Sequence, residues 1–82
     1  MTQKSITIKA SLDARQAAYF VQTAGKFESE IQVSVDEKRI NAKSIMGMMT
    51  LDLPVGEQVI VTADGVDEEK AVNDIEKYLS NN

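Results

Sequence analysis

The sequence predicts an α+β fold in two layers, with one four-stranded antiparallel sheet and three helices packed on one of its faces. Three observations predict it. Short stretches of strand character occur four times, the clearest with strict apolar–polar alternation. Between and after them lie stretches whose apolar residues recur at helical spacing. Both kinds of stretch are apolar on one side, so burial needs helices against one sheet face, with the other face partly solvated. In chain order the elements read β-α-β-β-α-β-α. The 82 residues suit a single domain, 1–82, without repeat, linker or low-complexity segment.

The first strand is predicted over Lys4 to Lys9, where Ile6 and Ile8 alternate with Ser5, Thr7 and Lys9. Ala10 to Leu12 form a short connection. Asp13 then opens a helix as its N-cap, and Gln16 stands where a capping box would have it reach back to the cap N–H. Ala14, Ala17, Ala18, Val21 and Ala24 follow as the apolar stripe, Tyr19 and Phe20 widen it, and Gly25 is the stop. Ile31, Val33 and Val35 alternate in the second strand. Asp36-Glu37-Lys38 turns the chain into a short third strand over Arg39 to Ala42. Ser44 to about Leu51 reads as a short helix weakened by Gly47, ended by Pro54 and Gly56. The fourth strand spans Gln58 to Ala63. Its apolar residues fall on both faces, with Ile60 opposite Val59 and Val61, which predicts better cover than the other strands have. Asp64-Gly65 turns, and Asp67 caps a last helix with Glu68 and Glu69 in its first turn, where the helix dipole favours negative charge. Ala71, Val72, Ile75, Tyr78 and Leu79 make its buried stripe, before a polar tail of Ser80-Asn81-Asn82.

Composition narrows the chemistry. A net charge of −4 argues against nucleic-acid binding, which needs a basic face. The absence of cysteine removes disulfide and thiol chemistry and fits a cytoplasmic protein; the absence of histidine removes the commonest acid–base group near neutrality and the commonest metal ligand. No apolar run approaches the roughly 20 residues of a membrane helix, and the N-terminus has no signal-peptide core. No metal or cofactor is expected.

The most informative stretch is Asn41 to Met49, N-A-K-S-I-M-G-M-M. Ser44, at the junction of a polar approach and an apolar run, reads as a helix N-cap. The same end favours anions, so a phosphate on Ser44 fits the same geometry. Four bulky apolar residues in five positions exceed what one buried stripe of a short helix can take. Some of Ile45, Met46, Met48 and Met49 therefore face solvent or a partner.

These residues carry a resemblance. Asp13-Ala14-Arg15-Gln16-Ala17, Val21-Gln22-Thr23-Ala24, the run Asn41 to Gly47 and Ala63-Asp64-Gly65 resemble HPr, the small phosphocarrier of the bacterial sugar phosphotransferase system. The resemblance covers nearly the whole chain and implies an HPr-like open-faced β-sandwich. In that family the phosphorylated histidine precedes Ala-Arg-Pro-Ala; here Asp13 occupies the position and Gln16 replaces the proline. The second family site, the serine of K-S-I-M-G, is intact as Ser44. A kept serine and a missing histidine look like the Crh branch, the catabolite-repression HPr proteins, although Crh usually has Gln at the histidine position and keeps the proline.

The resemblance implies phosphorylation of Ser44 by HPr kinase/phosphorylase, then binding to a LacI-type catabolite control repressor. Arg15, Lys43, Ile45, Met46 and Met49 would form the partner surface. The alternative it leaves is a phosphocarrier-type component, a degenerate or variant HPr that still meets Enzyme I and other phosphotransferase proteins. Each residue also has a plainer reading: Ser44 as an unmodified cap, Arg15 as a solvated first-turn residue, and Ile45, Met46 and Met49 as core. Asp13 could accept a phosphoryl group as an acyl phosphate, but such sites need a divalent metal and neighbouring acids, and none stand near it in sequence. A helix cap is the reading preferred for Asp13.

Overall fold

A computed structural model of the chain describes residues 1–9, 12–50 and 53–80. Its elements are β1 (Thr2–Thr7), α1 (Ala14–Gly25), β2 (Glu30–Val35), β3 (Lys38–Asn41), α2 (Ile45–Thr50), β4 (Gln58–Asp64) and α3 (Glu68–Ser80). The predicted order and layering are therefore observed. The sheet runs β1-β4-β2-β3 and every neighbouring pair is antiparallel.

Register explains the core. Ile6 pairs with Val59, and Val33 pairs with both Val61 and Ile40. Because side chains alternate along a strand, this puts Ile6, Val59, Val61, Ala63, Ile31, Val33 and Val35 on one buried face. α3 covers β1 and β4, α2 lies against β3, and α1 packs on both other helices. Ala17, Phe20 and Ala24 of α1 and Ala71, Val72, Ile75 and Leu79 of α3 complete the same core. Phe20 meets Tyr78 edge to face, with ring centroids 5.8 Å apart. No helix among the described residues is long and apolar enough to cross a membrane.

Several local expectations are corrected. β1 begins and ends two residues earlier than its alternation suggested, and Ile8 is buried beyond its end. β3 stops at Asn41; Ala42 is buried past it, its N–H donating to Ile31 O at 2.9 Å. β4 is central, yet Ile60 is 40% exposed, because among the described residues the helices pack on the other face of the sheet. Ala14 is exposed, and Phe20, not an alanine, is the large residue of the α1 stripe. Gly25 is the last residue of α1 and Lys26, in a right-handed conformation, forms its C-cap, so no left-handed glycine ends the helix. The two-residue turn after β2 works without glycine because Asp36 takes the left-handed backbone (φ 55°), which aspartate tolerates better than most residues.

Asp67 does begin α3, its carbonyl accepting from Ala71 N at 2.9 Å. Its carboxylate is used elsewhere, accepting from Glu28 N at 2.9 Å, Ser29 N at 3.0 Å and the buried Ser29 hydroxyl. These bonds, led by that from Ser29, hold the Asp67 carboxyl below its usual range. Gly65 permits the clasp: a Cβ there would lie 2.6 Å from Ser29 Cα. The connection Ala10–Leu12 (except Leu12 itself), Leu51 and the tail residues Asn81 and Asn82 lie outside the described residues.

Candidate functional site

Ser44 is placed by a turn built from its own neighbours. The Asn41 side chain accepts from Lys43 N at 2.8 Å, and the Asn41 carbonyl accepts from Ser44 N at 3.0 Å. Asparagine suits this position because its side chain imitates a backbone turn. The buried Ala42 fixes the turn to β2 through Ile31 O. α2 then starts as the sequence predicts. Ser44 Oγ accepts from Gly47 N at 3.1 Å, and the Ser44 carbonyl accepts from Met48 N at 2.9 Å. The capping bond uses one lone pair; the hydroxyl keeps its proton and a second lone pair. Ser44 is half-buried, so its oxygen is fixed by the fold but not sealed within it.

Gly47 is more than a weak point in α2. A Cβ there would sit 2.8 Å from Ile40 Cγ2 and 3.3 Å from Ser44 Oγ. Its bare Cα lets the first turn of α2 close on β3 and on the serine. Local propensity marks Gly47 only as a helix weakener, because it does not reveal what approaches from another strand.

The apolar run divides as its crowding required. Met48 is 2% exposed and belongs to the core, whereas Ile45 is 39%, Met46 78% and Met49 54% exposed. Methionine's flexible thioether suits surfaces that accommodate more than one shape. Arg15 is exposed in the first turn of α1, the helix against which α2 packs. Lys43 is different from the other predicted surface residues. It is half-buried, and its Nζ donates to Phe27 O at 2.6 Å, beside the C-terminal end of α1.

Asp13 caps α1, its Oδ1 accepting from Gln16 N at 2.9 Å. A proline at position 16 would have no N–H to give. The reciprocal half of the capping box is not the bond Gln16 makes. The Gln16 Oε1 and its carbonyl O lie 2.9 and 2.8 Å from the Tyr78 hydroxyl, which ties α3 to the start of α1. Burial, and then the charge of Asp13, raise the Tyr78 pKa. Among the described residues no group of three or more acidic side chains is placed to hold a metal ion. Two open hollows, about 450 and 360 Å³, lie along Gly65–Lys70 and between β1 and α3; neither is lined by Ser44 or Asp13.

The family model described as PTS HPr component phosphorylation site matches residues 2–81. The HPr-like protein Crh of Bacillus subtilis (strain 168) is 42% identical over 74 residues, 90% of this chain and 87% of the relative. Among solved structures, HPr-C-His from Thermoanaerobacter tengcongensis superimposes with a TM-score of 0.89 at 47% identity, covering 96% of this chain and 91% of that one. The phosphocarrier protein HPr of Bacillus anthracis str. Ames gives 0.91 at 39% identity, covering 95% of each. A family match over nearly the whole length, joined to close similarity with Crh, makes this chain a Crh-like member of the HPr family.

Proposed function

We propose that the protein is a regulatory, non-enzymatic HPr-like domain of carbon catabolite repression, acting in the cytoplasm and not as a histidine phosphocarrier. HPr kinase/phosphorylase phosphorylates Ser44, and the phosphorylated form binds a LacI-type catabolite control repressor. The observation that carries this reading is a half-buried, positionally fixed serine next to three exposed apolar side chains, in a sequence without histidine. Without imidazole the usual nucleophile for reversible phosphoryl transfer at neutral pH is missing.

The physical consequence of phosphorylation is electrostatic. The modification adds nearly two negative charges and three acceptor oxygens where N–H groups of α2 already point. The Gly47 N–H that now bonds Oγ can bond the phosphate, so the backbone keeps its course. What changes is the surface, where a dianion now borders Ile45, Met46 and Met49. A partner would read it with arginine or lysine and bury the apolar residues beside it. Arg15 belongs to the same reading, as a contact from the first turn of α1.

Intact-mass spectrometry after incubation with HPr kinase/phosphorylase and ATP tests it, on the parent and on Ser44→Ala. One phosphate on the parent and none on the variant is the expected result. A parent that stays unmodified while a true HPr is phosphorylated alongside it defeats the proposal. Incubation with Enzyme I and phosphoenolpyruvate separates the rival, since a hydroxylamine-sensitive label on Asp13 would make the chain a phosphotransferase component.

A further inference from the structure

Lys43 precedes Ser44 and invites assignment to the partner surface. Its ammonium instead donates to Phe27 O at 2.6 Å in a half-buried setting. Phe27 lies just past Lys26, the C-cap of α1, at a helix end whose dipole favours cations. The bond spans 16 residues of sequence and ties the turn before α2 to the end of α1. The rest of the turn is held locally: Asn41 Oδ1 takes Lys43 N, Asn41 O takes Ser44 N, and Ala42 N reaches Ile31 O. Lys43 is therefore a side-chain anchor that joins the Ser44 turn to the segment leaving α1.

We propose that Lys43 is a positioning residue for the Ser44 hydroxyl and not a contact for the enzyme or repressor that reads it. This rests on the reading of Ser44 as a phosphorylation site. The strap holds the turn so that Oγ meets Gly47 N in a half-buried position. It also keeps the lysine charge on Phe27, so the modified serine presents its phosphate unneutralised to the cations of a partner. A displacement of about 1 Å in a reacting group can cost a hundredfold in rate, so a strap remote from the chemistry can govern it.

The test compares the parent with Lys43→Met and Lys43→Arg by native-state hydrogen exchange and by kinase kinetics. The Gly47 and Met48 amides report on the turn directly, because their acceptors are the Oγ and carbonyl of Ser44. Loss of a charge-assisted bond should speed their exchange about tenfold in Lys43→Met. Arginine, which can still donate to Phe27 O, should restore most of the protection. Phosphorylation should lose kcat in step with protection, with KM and salt dependence at parent values. Unchanged protection in Lys43→Met overturns the proposal. So does a raised KM with flattened salt dependence at parent protection, since that is the behaviour of a lysine touching the kinase. If the parent takes no phosphate at all, the reading of Ser44 fails, and the exchange data still decide the role of Lys43.

Discussion

Gly65→Ala should be among the most damaging single-methyl additions this fold can receive. The added Cβ would lie 2.6 Å from both Ser29 Cα and Ser29 Oγ and 2.9 Å from Ser29 Cβ. Non-bonded carbons rest at about 3.5–4.0 Å, so roughly 1 Å of overlap must be relieved. One partner is backbone, so no rotamer change suffices. Ser29 is fully buried and clasped to Asp67, so relief must move the loop between α1 and β2 or the start of α3. Overpacking of this kind costs about 1–3 kcal/mol. For a domain of this size 1 kcal/mol moves the melting temperature by about 4–8 °C, giving a drop of roughly 4–24 °C. Gly25→Ala is the matched control. Nothing lies within 4 Å of its added Cβ and Gly25 ends a helix, so the same chemical change should stabilise by up to about 1 kcal/mol. Calorimetry or urea unfolding of both variants decides. A Gly65→Ala protein melting with the parent, or a Gly25→Ala protein that is the weaker of the two, would refute the argument from close approach.

Phe20→Ala should cost about 3–5 kcal/mol in urea unfolding, because the ring is fully buried and meets Tyr78 edge to face. Met46→Ala should melt within about 0.5 kcal/mol of the parent yet weaken partner binding, while Met48→Ala, at the core, should lose about 2–5 kcal/mol. Acid should unfold the protein progressively from about pH 5 downward. The carboxyls of Asp67, bonded first by Ser29, and Glu68, bonded first by Thr2 and held at about 2, are depressed by folding. Depressed carboxyls contribute stability above their unfolded pKa and lose it as pH falls through the folded value. The N-terminal ammonium runs the other way. Glu68 raises its pKa above the ordinary 8.0, so its contribution is complete below that value and fades as pH rises through the raised one. Urea midpoints between pH 2 and 10 check both limbs, and Glu68→Gln should flatten both.

The division between what sequence could and could not reveal follows the reach of each interaction. The alternation of Ile31, Val33 and Val35 is a property of neighbours, and it translated directly into a buried face. The Ser44 cap was legible because its partner Gly47 lies three residues on, and Asp13 with Gln16 N for the same reason. Ile60 misled, because an apolar residue on the second face of a strand looks like cover that only the tertiary arrangement can grant or withhold. Asp67 clasps residues 38 and 39 positions away, Tyr78 reaches Gln16 across 62, and Lys43 reaches Phe27 across 16. No local spacing announces such partners. The Gln16 side chain meets Tyr78 and the Lys43 ammonium meets Phe27 O, each a partner distant in sequence.

The two helix starts show why a cap alone does not make a site. Asp13 and Ser44 use the same device, a side-chain oxygen accepting the N–H three residues on, at 2.9 and 3.1 Å. Around Asp13 that device is drawn into a structural joint. Gln16, whose N–H serves the cap, also takes the Tyr78 hydroxyl from α3, and Tyr78 leans on Phe20 in the core. The carboxylate there already supplies the negative charge that the helix start favours, and it meets any incoming phosphoryl donor with like charge. Around Ser44 the cap is neutral, so the attraction of the helix start for an anion is unspent. Its supports, Asn41, Ala42 and Lys43, come from behind, and the side chains ahead of it, Ile45, Met46 and Met49, are left exposed. Equal capping geometry thus leaves one end committed to holding helices together and the other half-buried beside an exposed apolar surface.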